Sequence, residues 1–383
     1  MITVNELFSG IGAFRKALER LEIPHELIGI SEIDKYAIQS YNAIYGDTRN
    51  YGDISEIYKL DYADLWTYGF PCQDISIAGK GEGIKRGETR SGLLYEVQRL
   101  LNIADVYDEL PKYLIMENVK NLLGKQFRTD FEMWVQWLDN LGYNSYYKIL
   151  NAKDFGIPQS RERVFCVSIR KDIDEYGYSF PTGCGIGAGR LKDILEDDVA
   201  EKYYISNGWL ENNINYEYKG KNDFKITPHE GVAGTLSCKA DRRSGVWVLG
   251  KLCGGSWDTM FGQNRKVLSD EGICSTLQTC GGGGQHVKIK IGEDTDRSAR
   301  SNVRRLTPLE YWRLMGFDDE DLQKARDSGI SDTQLYRQAG NSIVVQCLEG
   351  ILSKLLLDKD DIKDMTEEGQ TSWMDYLKLK MDA

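Results

Sequence analysis

Apolar residues alternate between two rhythms along the first 170 or so positions. Short, nearly continuous apolar runs, ITVNELF from residue 2, HELIGISEID from 25, DLWTYGF from 64, KYLIMENV from 112 and RERVFCVSI from 161, have the length and texture of buried strands. Between them lie stretches with helical spacing: GAFRKALERL, SGLLYEVQRLLNIADVY and FEMWVQWLDNLG. Strand–helix alternation predicts an α/β fold, a doubly wound sheet with helices on both faces. After about residue 181 the periodicity fades into glycine-rich and polar stretches such as GCGIGAGR, LCGGSWDTMFGQN and CGGGGQH. Helical spacing returns at TPLEYWRLMGF and again at SIVVQCLEGILSKLLL. The pattern therefore predicts an α/β domain from 1–182 plus 334–358, a smaller loop-rich domain over 183–333, and an acidic tail over 359–383.

The middle region contains a possible duplication. KITPHEGVAGTL (225–236) aligns without gaps on KVLSDEGICSTL (266–277), with identical residues at five of twelve positions. Two glycine-bounded hairpins of chance similarity would look the same, and two copies do not make a solenoid.

Composition narrows the class. The 383 residues are 41% hydrophobic and 28% charged, an ordinary globular balance. No apolar run reaches the roughly 18 residues of a membrane span, and the first residues lack a secretory layout, so the expected location is cytoplasmic, at the nucleoid. The eight cysteines form no C-x-x-C pair, and the three histidines complete no zinc pattern, so no metal is expected. The net charge of −11 argues against a general polyanion binder. The cations nevertheless cluster: Lys80, Lys85, Arg86 and Arg90 fall in one glycine-rich stretch, Lys239, Arg242 and Arg243 form another group, and Arg297, Arg300, Arg304 and Arg305 a third. Such clusters suit a protein that grips DNA in one cleft, or are simply solvated faces.

Four short patterns carry chemistry. Phe8-Ser9-Gly10-Ile11-Gly12 follows a strand and opens a helix, where glycines let a ligand approach the backbone. Glu32 and Asp34 lie about twenty residues on, where an acid commonly accepts ribose hydroxyls. Asp53, after the next apolar segment, is placed to contact an adenine. The full G-x-G-x-x-G spacing is missing, which disfavours a dinucleotide. Gly69-Phe70-Pro71-Cys72-Gln73 presents a thiol after a strand, at the sheet edge where ligands bind; a buried structural cysteine is the alternative. Glu117-Asn118-Val119 ends another strand and faces the same crevice. Arg161 and Arg163, in Gln159-x-Arg161-x-Arg163, share one strand face and point together at a carboxylate or phosphate, or make surface ion pairs.

Taken in order, FSGIG, EID, GDIS, GFPCQDIS, RSGLL, ENV, QSRERVF, RRLTPLEYWRLMGF and QAGNSIVV resemble the DNA (cytosine-5) methyltransferase family from the N-terminus to about residue 358. The resemblance implies a Rossmann-like, S-adenosylmethionine-dependent methyltransferase fold with a target recognition domain in the middle region. The implied activity moves a methyl group from S-adenosyl-L-methionine to C5 of a flipped-out cytosine in a short duplex DNA sequence, leaving S-adenosyl-L-homocysteine. In that reading Cys72 is the nucleophile, Glu117 holds and protonates the base, and Arg161 and Arg163 hold the base and the acid. Phe8, Gly10, Gly12, Glu32, Ile33, Asp53, Ile54, Pro71, Leu93, Asn341 and Ser342 would form the cofactor pocket. Lys80, Lys85, Arg86 and Arg90 would meet DNA from a mobile active-site segment over residues 79–90, and Gln73, also on the DNA, would help fill the gap that the flipped base leaves. Thr276-Leu277 resembles the family's Thr-Leu pair ahead of a reading loop, with Thr235-Leu236 as rival. The resemblance suggests a monomeric enzyme of a bacterium or phage, solitary or beside a cognate restriction endonuclease. Two other readings stay open: a tRNA cytosine-5 methyltransferase of the same fold, and a catalytically inert DNA-binding descendant.

Overall fold

The computed structural model describes residues 1–71, 90–183, 189–205, 214–215, 248–252, 266–270, 273–277, 286–291 and 303–357. The first unit is built on six strands: β1 (Ile2–Leu7), β2 (His25–Ser31), β3 (Leu65–Tyr68), β4 (Tyr113–Val119), β5 (Tyr143–Asn151) and, after the two-residue β6 (Gln159–Ser160), β7 (Glu162–Arg170). Their order is β2-β1-β3-β4-β7-β5. The first four run parallel, and β7 runs antiparallel to both β4 and β5. Helices α1 (Ala13–Arg20), α2 (Lys35–Tyr45), α3 (Leu94–Val106) and α4 (Arg128–Leu141) connect the strands.

Adjacent strand residues send their side chains to opposite faces, so both faces of the sheet are covered. Val4, Leu65, Ile115, Phe165 and Val167 pack on one side with Phe14, Ala17 and Leu18 of α1. Trp66, Leu114, Met116, Val164 and Cys166 pack on the other with α3 and α4. The spacing of Phe131, Trp134 and Leu138 turns one stripe of α4 inward, and Gly142 at φ 105 ends the helix in the left-handed region. Asp34 caps α2 by accepting from the Tyr36 N–H at 2.9 Å.

A second sheet has the order β13-β12-β10-β9-β8, from β8 (Ile214–Asn215), β9 (Val248–Leu252), β10 (Lys266–Ser269), β12 (Lys288–Lys290) and β13 (Val303–Arg305). The remaining strand, β11 (Cys274–Ser275), leaves that sheet to pair with β6. Of the suspected duplication, the copy at 225–236 lies outside the described residues. The chain then closes with α5 (Pro308–Arg313), α6 (Asp319–Asp327), α7 (Asp332–Asn341) and α8 (Val345–Leu356). Thr307 and Glu310 form a reciprocal capping box around Pro308, which fixes where α5 starts. Residues 308–327 reach back to the first unit: Lys16 of α1 meets Asp321 of α6 at 2.7 Å, largely out of solvent. Arg20 meets Glu349 of α8 at 3.4 Å. No helix among the described residues is long and apolar enough to cross a membrane. The tail beyond 357 lies outside the described residues.

Strand order decides where a ligand fits. The connection from β1 runs outward to β2, then the chain crosses back to β3 on the other side of β1. The carboxyl ends of β1 and β3 therefore flank a topological switch point, where open α/β sheets form their binding crevice.

Candidate active site

The end of β1 leads straight into the glycine turn. Phe8 takes φ 57, a costly left-handed conformation for a non-glycine residue, while its N–H donates to Ser31 O at 2.7 Å. Gly12, at φ 79, has no room for a side chain: a Cβ there would lie 2.5 Å from the Tyr45 ring and 2.7 Å from that of Tyr41. Gly10, at φ 56, opens the other way, with nothing within 4 Å of where a Cβ would stand. Glu32, at the end of β2, clasps this turn. Its carboxylate accepts from Gly10 N at 2.9 Å and from the Ile33 and Asp34 N–H groups at 2.8 Å each. Three of its roughly four acceptor positions are thereby used, leaving one for a hydroxyl. Ile33 beside it is 69% exposed, an apolar surface next to a polar acceptor. Ile54 is buried, and it shares a cluster with Phe8 and Leu93. Asp53 accepts from Ser55 N and Oγ at 2.9 and 2.7 Å, closing a local turn.

Three groups that the sequence reading passed over hold this frame. Asn50 brackets Glu32, accepting from its N–H at 3.2 Å and donating to its carbonyl at 3.0 Å. Tyr45 OH donates to Gly12 O at 2.8 Å. Glu6, fully buried in β1, supplies the cap that Gly12 cannot give α1: its carboxylate accepts from Arg15 N at 2.8 Å and from Tyr41 OH at 2.6 Å. Burial raises the Glu6 carboxyl from an ordinary 4.5 to about 7, against the lowering effect of the Tyr41 and Arg15 hydrogen bonds. The folded state thus holds a proton that the unfolded state has released between those values. Stability from this group is complete below about 4.5 and is lost as pH rises through about 7, on the order of 3 kcal/mol in all. Glu6→Gln imitates the protonated carboxyl. Urea midpoints at pH 5 and pH 8 should therefore fall less with pH in the variant than in the parent, and equal falls would contradict this account.

At the carboxyl ends of β3 and β4 the site changes character. Gly69 leaves space above it for the Glu117 carboxylate, which would sit 3.4 Å from a Cβ at that position. Glu117 pairs with Arg163 Nε at 3.1 Å, both side chains largely out of solvent. The pairing follows from register: Arg163 of β7 lies opposite Val119, diagonal to Glu117 on the same face. Burial raises the Glu117 carboxyl above its usual range, while the charges of Arg163 and Arg161 pull it back. Asn118, with its side chain turned to the other face, donates to Phe70 O at 3.1 Å and so fixes the chain just before Pro71. No signal in the sequence marked that role beyond the position of Asn118 at a strand end.

Arg161 is buried, and its guanidinium donates to backbone carbonyls. It donates to Ser342 O at 2.7 Å, Gly340 O at 3.2 Å and Leu277 O at 3.4 Å. It thereby draws the turn after α7 up to the site, where Ile343 comes within 4.0 Å of the space above Gly69. Ser342 is buried in that turn and Asn341 is exposed. Thr276 and Leu277 are docked on β6: Thr276 Oγ1 donates to Ser160 O at 2.8 Å, and Leu277 is buried in the main core. Cys72, Gln73, Lys80, Lys85, Arg86 and the rival pair Thr235-Leu236 lie outside the described residues. Arg90 begins the single helical turn that ends at Leu93.

The arrangement brings together an acid of raised pKa, two arginines, a glycine turn and an acidic clasp around one crevice. A profile of the C-5 cytosine-specific DNA methylases matches residues 2–356. The chain belongs to that family. The methylase is 33% identical to the type II methyltransferase M2.ScrFI of Lactococcus lactis subsp. cremoris, covering 93% of this chain and 99% of that one. It is 32% identical to the orphan methyltransferase M.SPBetaI of Bacillus phage SPbeta, over 93% of this chain and 97% of the relative. Among solved structures, the S. pombe Dnmt2 methyltransferase superposes with a TM-score of 0.62 at 20% identity, covering 93% of this chain and 98% of that one, a likeness of fold. The methylase is thus an enzyme that methylates C5 of cytosine in DNA, on a Rossmann-like methyltransferase fold.

Proposed function

We propose that the methylase modifies one cytosine within a short specific duplex sequence, with S-adenosylmethionine as donor and Cys72 as nucleophile. The observation that carries this reading is the Glu117–Arg163 pair beside Gly69-Phe70-Pro71, the residues that lead into Cys72 at the switch point. The Cys72 thiolate adds to C6 of the base, and the displaced electron pair makes C5 nucleophilic. Glu117, whose carboxyl burial raises above its usual range against the pull of Arg163 and Arg161, hydrogen-bonds N3 and supplies a proton there as charge builds. Arg163 keeps the carboxyl aimed and meets the cytosine O2. Once C5 is methylated, loss of its proton expels the thiolate.

The donor's pocket is the crevice at β1 and β2, and the residues fit it: Gly10 borders open space, Glu32 keeps an acceptor for a ribose hydroxyl, and exposed Ile33 offers an adenine its apolar face. Phe8, Gly12, Asp53, Ile54, Pro71, Leu93, Asn341 and Ser342 would complete it. When bound, S-adenosylmethionine would supply an electrophilic methyl group at the carboxyl edge of the sheet. The target atom is hidden in a duplex, so the base must leave the stack at a cost of a few kcal/mol. Gln73, Lys80, Lys85, Arg86 and Arg90 would steady the opened DNA. The reading domain is proposed over 183–333, with its helices at 308–327 as the base that packs on the first unit. A monomer suffices, since one chain supplies every group named. The named relatives include both orphan and type II enzymes, so a companion endonuclease is compatible with this reading.

Bisulfite sequencing of DNA from a methylation-free cell expressing the chain tests the proposal. Protected cytosines should be confined to one short motif. Soluble protein without any protected cytosine would sink the reading and return attention to an RNA substrate or an inert binder.

A further inference from the structure

We propose that Asn50 and Ser31 are positioning residues that hold Glu32 and Asp53 at the separation one adenosyl group requires, resting on the reading that seats S-adenosylmethionine in the crevice at β1 and β2. The two acids come from different segments. Glu32 follows the end of β2, and Asp53 follows a short strap, residues 49–52, that returns to the sheet after α2. Chain continuity does not fix one acid against the other, because α2 lies between them. The strap runs parallel to the edge strand β2, bridging Asn50 to Ile30. Ile30 N donates to Arg49 O at 2.9 Å, and Tyr51 N donates to Ile30 O at 2.8 Å. Beyond Tyr51, among the described residues, the tie between strap and strand passes to side chains.

Asn50 joins the two segments with one amide. Its Oδ1 accepts from Glu32 N at 3.2 Å and from Gly52 N at 2.9 Å, and its Nδ2 donates to Glu32 O at 3.0 Å. An amide supplies the acceptor and the donor from a single fork. Ser31, buried in β2, adds a tie in the other sense: its hydroxyl donates to Gly52 O at 2.8 Å. Gly52 stands at φ 82 immediately before Asp53, and both its N–H and its carbonyl are thereby held. Each acid keeps capacity for a ligand. Glu32 has one of its roughly four acceptor positions left after Gly10, Ile33 and Asp34. Asp53 spends Oδ1 on Ser55, and its Oδ2 has no partner among the described residues. The ribose hydroxyls and the exocyclic amine of one adenosyl group are a set distance apart. Two acceptors gain from both at once only when their own separation is set beforehand.

Calorimetric titration of the full-length protein with S-adenosylhomocysteine, and with its analogue lacking both ribose hydroxyls, tests this without turnover. In Asn50→Ala the Kd for S-adenosylhomocysteine should rise about tenfold, on the scale of one hydrogen bond. The analogue should weaken by about threefold or less, because it has only the base contact to lose. In methyl transfer the KM for S-adenosylmethionine should rise while the saturating kcat stays within about twofold of the parent. Asn50→Asp keeps the acceptor but turns a carboxylate oxygen on the Glu32 carbonyl, and should weaken S-adenosylhomocysteine at least as much. Ser31→Ala removes only the hydroxyl and should likewise weaken S-adenosylhomocysteine more than the analogue; it decides the matter if neither Asn50 variant folds. An unchanged Kd, or equal losses for both ligands, overturns the proposal. Ile33→Ser separates this inference from the reading beneath it, since that side chain is 69% exposed and the fold should tolerate the change. If Ile33→Ser leaves the Kd for S-adenosylhomocysteine unchanged, the crevice does not seat the adenosyl group. If it weakens binding while the Asn50 and Ser31 variants do not, the positioning inference fails by itself.

Discussion

Replacing Cys72 by serine is expected to abolish methyl transfer while leaving the protein folded and able to bind DNA. A thiol keeps a few per cent of thiolate at neutral pH, whereas a serine hydroxyl keeps essentially none. The expected loss in kcat is on the order of 10⁶, the scale on which removal of a covalent nucleophile registers. Duplex DNA with 5-fluorocytosine at the target position gives the sharpest readout. The fluorine cannot leave as the proton does, so the parent should accumulate a denaturant-stable adduct and Cys72→Ser should form none. Glu117→Gln provides the contrast. Its amide can still hydrogen-bond the base but cannot hand over a proton, so it should retain the adduct and lose roughly a hundredfold in rate. An adduct formed by Cys72→Ser would remove this cysteine from the mechanism.

The largest expected loss of stability comes from a residue remote from the crevice. Arg304 of β13 and Glu310 of α5 form a bidentate pair at 2.7 and 2.5 Å, with both side chains fully buried. Glu310 also accepts from Thr307 N at 2.8 Å and Glu196 N at 3.0 Å, so a single carboxylate organises the passage from the second sheet into the closing helices. Glu310→Ala strands the guanidinium and two further donors away from water, at a cost of about 3–5 kcal/mol. A double replacement, Arg304→Met with Glu310→Leu, should recover much of this, because desolvating the pair offsets most of its Coulomb gain. Chemical denaturation of the parent and both variants checks it. If Glu310→Ala is as stable as the parent, the pair is not what holds this joint.

Much of the first unit could be read along the chain, because strands covered on both faces are almost continuously apolar. β7 shows the limit. Its run RERVFCVSI announces a strand, but an apolar run has no direction, and only pairing with β4 and β5 reveals it as the reversed one. Helices α6 and α7 were not foreseen. DEDLQKARD looks like a solvated face, yet Leu322 and Ala325 are buried, and Asp321 is drawn inward by Lys16 across more than 300 positions. The same division holds at the site. Glu32 and Glu117 were legible because strand ends are fixed by local pattern. The carbonyls that turn Arg161, and the Leu314 carbonyl that accepts from the Gln159 amide, lie more than a hundred residues away, where no local spacing encodes them.

The packing of α8 against α1 also has a consequence for synthesis on the ribosome. Phe14, Ala17 and Leu18 share a core with Leu348, Ile351 and Leu352. At about 5–20 residues per second, the apolar stripe of α1 waits on the order of 20–60 seconds for its final covering to be translated. Throughout that interval the nascent chain offers exposed hydrophobic surface to chaperones and to neighbouring chains. A pause in translation near the 3′ end of the message should therefore lower the yield of soluble enzyme more than an equal pause near the start.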